Sequence, residues 1–175
     1  MLKYRMITGP LLIVAFLAIV WFDDWLDTAH ISGFLSAVFR GKDHLPRGLA
    51  LFTLSLLVAP VAANELSAIF KAQGIMTKRR LTASAAIMGL VLSYSIPLDT
   101  PAIDAVAIVV TGMILMFVWS LLMFSRDHNV TGVIAAAGAV MFAMVYLGFM
   151  LGFLLAIRRM HSPWWIVGII FTIKS

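Results

Sequence analysis

The chain has 175 residues, of which 62% are hydrophobic and only 12% are charged. Ordinary soluble domains contain about 45–50% apolar and about 25% charged residues, so this composition excludes a typical soluble domain. Because a chain of this length still exposes much of its surface after folding, lipid must be the solvent for much of the apolar excess. The net charge of +5 comes from cations at the ends of apolar runs, which favours anionic lipid over nucleic acid as a partner.

The apolar runs are long and continuous, whereas membrane strands would show short alternating patterns. A helix satisfies its own backbone hydrogen bonds, as hydrocarbon surroundings require. The sequence therefore predicts an all-α, polytopic integral membrane helix bundle that forms a single transmembrane domain. Since a span takes roughly 20 residues, we expect five complete spans and the start of a sixth. They lie near residues 7–22, 49–70, 81–96, 102–124, 130–157 and, incomplete, 164–173.

The first and last apolar runs raise the question of how the chain begins and ends. Lys3 and Arg5 precede the first run as in a secretory signal, but no small-x-small cleavage site follows, so we expect a retained first span.

The last run, from Trp164 to Ile173, covers only about half a bilayer at ~1.5 Å per residue. A helix ending there would leave carbonyl groups unsatisfied in lipid, which favours an N-terminal fragment of a longer protein.

The distribution of Lys and Arg residues favours a cytoplasmic N-terminus. In that orientation eight lie inside, namely Lys3, Arg5, Lys71, Lys78, Arg79, Arg80, Arg126 and Lys174. Five lie outside, namely Arg40, Lys42, Arg47, Arg158 and Arg159. The first loop also has apolar residues at helical spacing, which predicts an amphipathic helix in the membrane interface near 28–40.

Three acids follow the first span in the order D-D-x-x-D, namely Asp23, Asp24 and Asp27. Carboxylates one helical turn apart can share a hard cation such as Mg²⁺ through oxygen. The alternative, which we favour, is that these acids end the span at the surface beside the interfacial aromatic residues Trp21 and Trp25.

Glu65 is the only glutamate in the chain and lies late in the second span. An ionisable group at that depth is a functional hypothesis, here a catalytic one. The alternative is a structural role, in which the carboxylate reaches the interface or pairs with a basic residue such as Lys71.

Two basic clusters could bind an anionic lipid headgroup. One is Lys78, Arg79 and Arg80, and the other is Arg158 with Arg159. The alternative for both is an ordinary set of cations flanking membrane spans.

The order of these features resembles the N-terminal half of a bacterial phosphatidate cytidylyltransferase, or CDP-diacylglycerol synthase. Residues 2–9 are similar to the basic lead-in to the first helix of that family, and residues 62–74 to the end of its second helix, where a lone glutamate is typical. Residues 146–173 resemble the approach to its nucleotide-handling region. The diagnostic Asp-x-Gly-Ala-Tyr segment and the later Lys-Asp signature would begin beyond Ser175, so the resemblance assigns no catalytic residue to the positions present.

The resemblance implies a complete enzyme of the bacterial inner membrane that joins CTP to phosphatidic acid and releases pyrophosphate. It implies Mg²⁺ as cofactor, membrane lipids and phosphatidic acid as partners, and leaves room for a homodimer. The basic residues named above would then contact phosphatidate. The alternatives are a non-catalytic membrane scaffold or subunit, a small transporter, and, more distantly, a prenyl-transfer enzyme built on the three aspartates.

Overall fold

In the computed structural model the described residues are 2–28, 46–126 and 132–174. Their regular structure is entirely helical, which confirms the predicted all-α class for this part of the chain. The helices are α1 (Leu2–Thr28), α2 (Leu49–Ala72), α3 (Arg79–Ser95), α4 (Ala102–Ser125), α5 (Val133–Ala143), a π-helical segment (Met144–Phe149), α6 (Met150–Met160) and α7 (Trp164–Lys174). The interfacial helix predicted near 28–40 lies, apart from Thr28, outside the described residues.

Each predicted apolar run coincides with a helix, and the fifth run contains α5, the π segment and α6 in succession. Three of the described helices are long and apolar enough to cross a membrane, namely Leu49–Ala72, Ala102–Ser125 and Val133–Met160. Whether α1, α3 and α7 also cross the membrane stays a prediction. The predicted total of five complete spans therefore stays a prediction too.

The chain divides into two compact units. The single transmembrane domain expected from the sequence stays a prediction. One unit comprises Met1–Thr53 together with Ile157–Ser175, and the other comprises Leu54–Ala156. In the second unit the buried core comes from α3, α4, α5 and the π segment, with Leu81, Ala85, Met116, Phe124, Ala136, Val140 and Met144 at its centre. Alanine and methionine side chains make up much of this core, and such small or flexible side chains let the helices approach closely.

The closest approach in the second unit joins α3 to the π segment at two glycines. A Cβ atom on Gly148 would lie 2.7 Å from the Ala86 carbonyl oxygen and 2.8 Å from the Gly89 Cα. A Cβ on Gly89 would lie 2.7 Å from the Met144 carbonyl oxygen. The backbones of the two elements are therefore in direct contact, and no larger residue fits at either glycine.

Replacing Gly148 with alanine should destabilise the protein because the new methyl group meets backbone atoms, which cannot rotate away. We expect a loss of about 1–3 kcal/mol, as for other overpacked sites. Gly138 is the matched control, since it is also helical but a Cβ there would meet nothing within 4 Å. Gly138→Ala should be neutral or gain about 0.5–1 kcal/mol from helix propensity.

The measurement is thermal unfolding of each variant in detergent micelles, followed by the loss of helical circular dichroism. Equal melting temperatures for Gly148→Ala and Gly138→Ala would contradict the backbone contact.

Candidate functional site

The turn between α2 and α3 brings basic residues to one end of the second unit. Gly74 adopts a left-handed conformation with φ +80° just after α2 ends. The chain then returns so that the Ile75 amide donates to the Phe70 carbonyl at 2.9 Å, which closes the helix end. Lys71 and Lys78 therefore lie on either side of one short turn.

A buried pair of hydroxyl groups holds this turn against α2. The Ser67 and Thr77 hydroxyl oxygens are 2.8 Å apart, and the Thr77 hydroxyl also donates to the Ser67 carbonyl at 3.1 Å. Both side chains are buried, so each hydrogen bond replaces water that the site excludes. The start of α3 is thus positioned from within α2.

Lys78 connects the start of α3 to the end of α4. Its Nζ donates to the Met123 carbonyl at 3.0 Å and lies 5.6 Å from the centroid of the Phe124 ring. A cation at a helix C-terminus satisfies a carbonyl that has no partner within the helix and interacts favourably with the helix dipole. The ammonium group is therefore held at the end of α4.

Two cavities open beside this ammonium group, and both are lined by Lys71 and Lys78. The first, called here the basic groove, has a volume of about 650 Å³ and is lined also by Arg79, Arg80, Leu81, Ser84, Trp119 and Met123. The second, called here the loop cavity, has a volume of about 430 Å³ and is lined also by Gly74, Ile75, Met76, Thr77, Phe124, Gly132, Val133 and Ala136. Among the described residues neither lining includes a carboxylate, and the cations give both cavities a positive character.

The Lys and Arg residues of the second unit gather at one of its ends. All five Lys and Arg residues of residues 54–156 lie at the end with the cavities: Lys71, Lys78, Arg79, Arg80 and Arg126. Asp99 and Asp104 lie at the opposite end, in the turn between α3 and α4 and in the first turn of α4. The orientation of this end in a membrane, and the cytoplasmic N-terminus, stay predictions.

The structure brings together the predicted headgroup residues Lys78, Arg79 and Arg80, and it adds Lys71. Sequence reasoning placed Lys71 near this cluster and offered it as a partner for Glu65, but did not count it among the headgroup residues. Its spacing from Lys78 across a glycine turn could have indicated the shared site. Glu65 is exposed on α2 and lines neither cavity. Its catalytic role stays a prediction.

The first unit contains a second polar site, which joins residues that the sequence assigned to two different functions. Arg158 Nε donates to Asp23 Oδ2 at 2.6 Å, and Arg158 Nη2 donates to Asp27 Oδ2 at 2.5 Å. Both Asp23 and Arg158 are buried. Because a buried charge is stable only when it is paired and hydrogen-bonded, these three side chains form one electrostatic unit.

The same site also caps the N-terminus of α2. Asp23 Oδ1 accepts hydrogen bonds from the backbone amides of Ala50 and Leu51, at 3.1 and 3.3 Å. These amides belong to the first helical turn and have no carbonyl partner within the helix. Gly48 precedes them with φ +77°, and a Cβ there would lie 3.1 Å from the Arg158 Cγ. One aspartate therefore binds an arginine and caps a helix at once.

This pairing involves two of the three predicted Mg²⁺ ligands, Asp23, Asp24 and Asp27. Two of the three carboxylates accept hydrogen bonds from Arg158. In the described part of the chain, no three Asp, Glu or His side chains form a group that could hold a metal ion. The third acid, Asp24, is half-buried beside them.

The same pairing involves Arg158, which the sequence predicted to bind a lipid headgroup together with Arg159. Three nitrogen atoms of the Arg158 guanidinium donate to protein oxygens, the third at 3.3 Å to the His161 carbonyl. Arg158 thus acts as a counter-ion for Asp23 and Asp27. No sequence pattern predicts this contact, because Asp23 and Arg158 are 135 residues apart along the chain. Arg159 is half-buried next to it, and its headgroup role stays a prediction.

Breaking the Asp23–Arg158 pair should destabilise the protein more than removing any nearby unpaired acid. Arg158→Met leaves two carboxylates without their counter-ion, and Asp23→Asn leaves part of the guanidinium unpaired, so we expect losses of about 3–5 kcal/mol for the first and less for the second. Asp24→Asn removes the same charge as Asp23→Asn, one residue further along α1, and should have little effect.

The free energy of unfolding in detergent, measured for the single variants and for Asp23→Asn with Arg158→Met, tests this pairing. The double variant should lose less than the sum of the two single variants, since each change removes the partner of the other. Strict additivity, or an equal effect of Asp24→Asn, would contradict a coupled pair.

The described residues define an α-helical protein with three helices able to cross a membrane and a basic site at one end of its second unit. Comparisons of the chain with models of protein families, with curated proteins and with solved structures each find no match.

Proposed function

We propose that this chain is an integral membrane protein that binds the headgroup of an anionic phospholipid in the basic groove. We propose further that it is the membrane-embedded N-terminal part of an enzyme that makes CDP-diacylglycerol from CTP and phosphatidic acid in a bacterial inner membrane. The observation that carries the binding proposal is the groove itself, whose described lining residues include four cations and no carboxylate. The assignment to this enzyme rests on the sequence resemblance.

The groove has the parts that a phospholipid requires. Arg79 and Arg80, with the two shared lysines, supply charge for the phosphate at the start of α3. Leu81 and Met123 supply an apolar wall along which acyl chains can lie. Trp119 is 53% exposed beside them, and tryptophan favours the level of the lipid headgroups.

The reaction proposed for the complete enzyme is attack of a lipid phosphate oxygen on the α-phosphorus of CTP, with pyrophosphate as the leaving group. Two anions must approach each other, so fixed cations near the lipid phosphate lower the repulsion between them. In the part of the chain described here, Lys71, Lys78, Arg79 and Arg80 are the residues placed to do this.

The Mg²⁺ that the resemblance implies does not fit the only acidic motif of the chain. Asp23 and Asp27 are already bound by Arg158, and a cation there would compete with a buried guanidinium. We therefore assign no step of the reaction to a metal held by these residues. The prenyl-transfer alternative, which needs the same three aspartates for metal, loses its support for the same reason.

Removing the two groove arginines should weaken phosphatidate binding. Arg79→Gln with Arg80→Gln removes two cations, each worth about 1 kcal/mol toward an anionic headgroup, so we expect roughly thirty-fold weaker binding. Arg126→Gln is the matched control, since Arg126 lies at the same end of the unit but lines neither cavity.

The measurement uses a chain in which Trp119 is the single tryptophan, the other four being replaced by phenylalanine, in nanodiscs of neutral lipid. Quenching of Trp119 by brominated phosphatidate reports occupation of the groove. Equal quenching in the double variant and in Arg126→Gln would contradict a headgroup site at Arg79 and Arg80.

The enzymatic part of the proposal predicts that the reading frame continues past codon 175 into the Asp-x-Gly-Ala-Tyr and Lys-Asp motifs. Membranes that contain the complete gene product should convert phosphatidate and labelled CTP to CDP-diacylglycerol and pyrophosphate. A stop codon at position 176, with no conversion, would contradict the enzyme and favour the non-catalytic scaffold.

A further inference from the structure

The lining of the basic groove changes in character along the axes of α3 and α4. Lys78 Nζ donates to the Met123 carbonyl at 3.0 Å, which places the start of α3 level with the end of α4. Arg79 and Arg80 line the groove at this outer level, which is therefore cationic. One turn of four residues inward along either helix reaches a second level, roughly 6 Å deeper.

The second level of the groove is polar but uncharged. Ser84 lies four residues after Arg80 on α3, and it lines the groove. Trp119 lies four residues before Met123 on α4, and it lines the groove as well. One turn further inward on α4, Leu115 is apolar and exposed. From the outside inward the groove thus presents cations, neutral polar groups and hydrocarbon, which is the order of phosphate, glycerol esters and acyl chains in a phospholipid.

Of the two polar side chains at the second level, Trp119 is the one that can donate a hydrogen bond to a ligand. The Ser84 hydroxyl already donates to the Leu81 carbonyl at 2.9 Å, so toward a ligand it can only accept. The Trp119 indole N–H can only donate, and no described residue accepts from it. Because half of this side chain is exposed, a ligand in the groove can reach it. An ester carbonyl, which accepts and cannot donate, is the complementary group.

We propose that the Trp119 indole N–H donates to an acyl ester carbonyl of the phospholipid in the basic groove, so that the groove selects ester-linked over ether-linked phospholipids. The inference rests on the proposed function, because it takes the groove ligand to be a phospholipid. It adds a specificity-determining residue that recognises the glycerol esters of the lipid and not its phosphate. An ether-linked lipid has the same phosphate and the same chains, but it has no carbonyl oxygen to accept from the indole.

The test presents the protein with two lipids at once, dioleoyl phosphatidate and its dioleyl ether analogue, at equal concentration in a detergent without ester or amide groups. The two lipids differ in mass, so native mass spectrometry resolves their adducts, and the ratio of the adducts measures selectivity independently of total affinity. For the native chain we expect about fivefold more ester than ether adduct, which is the selectivity that one hydrogen bond of ordinary strength confers.

Substitutions at Trp119 test the donor itself. Trp119→Phe keeps an aromatic ring in the groove and removes the N–H, so the adduct ratio should fall to about one. Trp119→His keeps a ring with an N–H donor, and at about pH 8, where the imidazole is neutral, it should retain a preference for the ester. Helical circular dichroism in the same detergent shows whether each variant is folded, and Trp119→Met replaces Trp119→Phe if the latter is not.

Two control variants should keep the native ratio. Trp21→Phe is the same substitution at a tryptophan that is 63% exposed on α1 and lines neither cavity. Ser84→Ala removes the other polar side chain of the second level, whose hydroxyl donates within α3. Loss of selectivity in Trp21→Phe would show that the preference is not set in the groove. Loss of selectivity in Ser84→Ala with a native ratio in Trp119→Phe would assign the preference to the wrong residue here.

The double variant Arg79→Gln with Arg80→Gln distinguishes this inference from the proposed function. It should lower both adducts together and leave their ratio unchanged. If it lowers neither adduct, the groove is not a headgroup site and the proposed function fails. If it lowers both, while the native ratio is near one or Trp119→Phe keeps the native ratio, the phospholipid site stands and the ester contact is wrong.

Discussion

The second unit depends on one backbone contact, the crossing of α3 with the π segment at Gly89 and Gly148. In lipid no hydrophobic force drives helices together, since the acyl chains are as apolar as the side chains, and association relies on close packing. A crossing without side chains brings the largest number of atoms within van der Waals distance. The π segment, in which hydrogen bonds run from residue i to i+5, lies at this crossing and contains Gly148. The starts of α3 and α5 are thereby placed at the end of the unit where the basic residues lie.

Charge is scarce in this chain, and its two units use it in opposite ways. In the first unit Arg158 is buried and forms ion pairs with Asp23 and Asp27. In the second unit Lys71, Lys78, Arg79 and Arg80 line open cavities, and no acid is among the described residues of either lining. Pairing a charge in an apolar interior stabilises structure, whereas gathering like charges at a helix end stabilises nothing by itself. This contrast is the reason for proposing an anionic ligand at the basic groove.

The proposed chemistry follows from this contrast. A transfer between two phosphate esters is slow mainly because both reactants are anionic, so cations fixed beforehand are what a protein can supply. Lys78 donates to the Met123 carbonyl and lies over the Phe124 ring, so its ammonium group is already positioned. It lines both the basic groove and the loop cavity.

The sequence by itself determined the helical class, the position of each helix to within a few residues and the basic cluster at 78–80, because hydropathy and charge are local properties read along the chain. Only the tertiary structure decided that Arg158 pairs with Asp23 and Asp27, that Lys71 joins Lys78, and that Glu65 lies apart from both cavities. Each of these depends on where distant segments meet, and a pattern along one helix carries no information about its partner. The same three aspartates fit a metal site, a surface boundary or an arginine site equally well until the burial and the neighbours of each carboxylate are known.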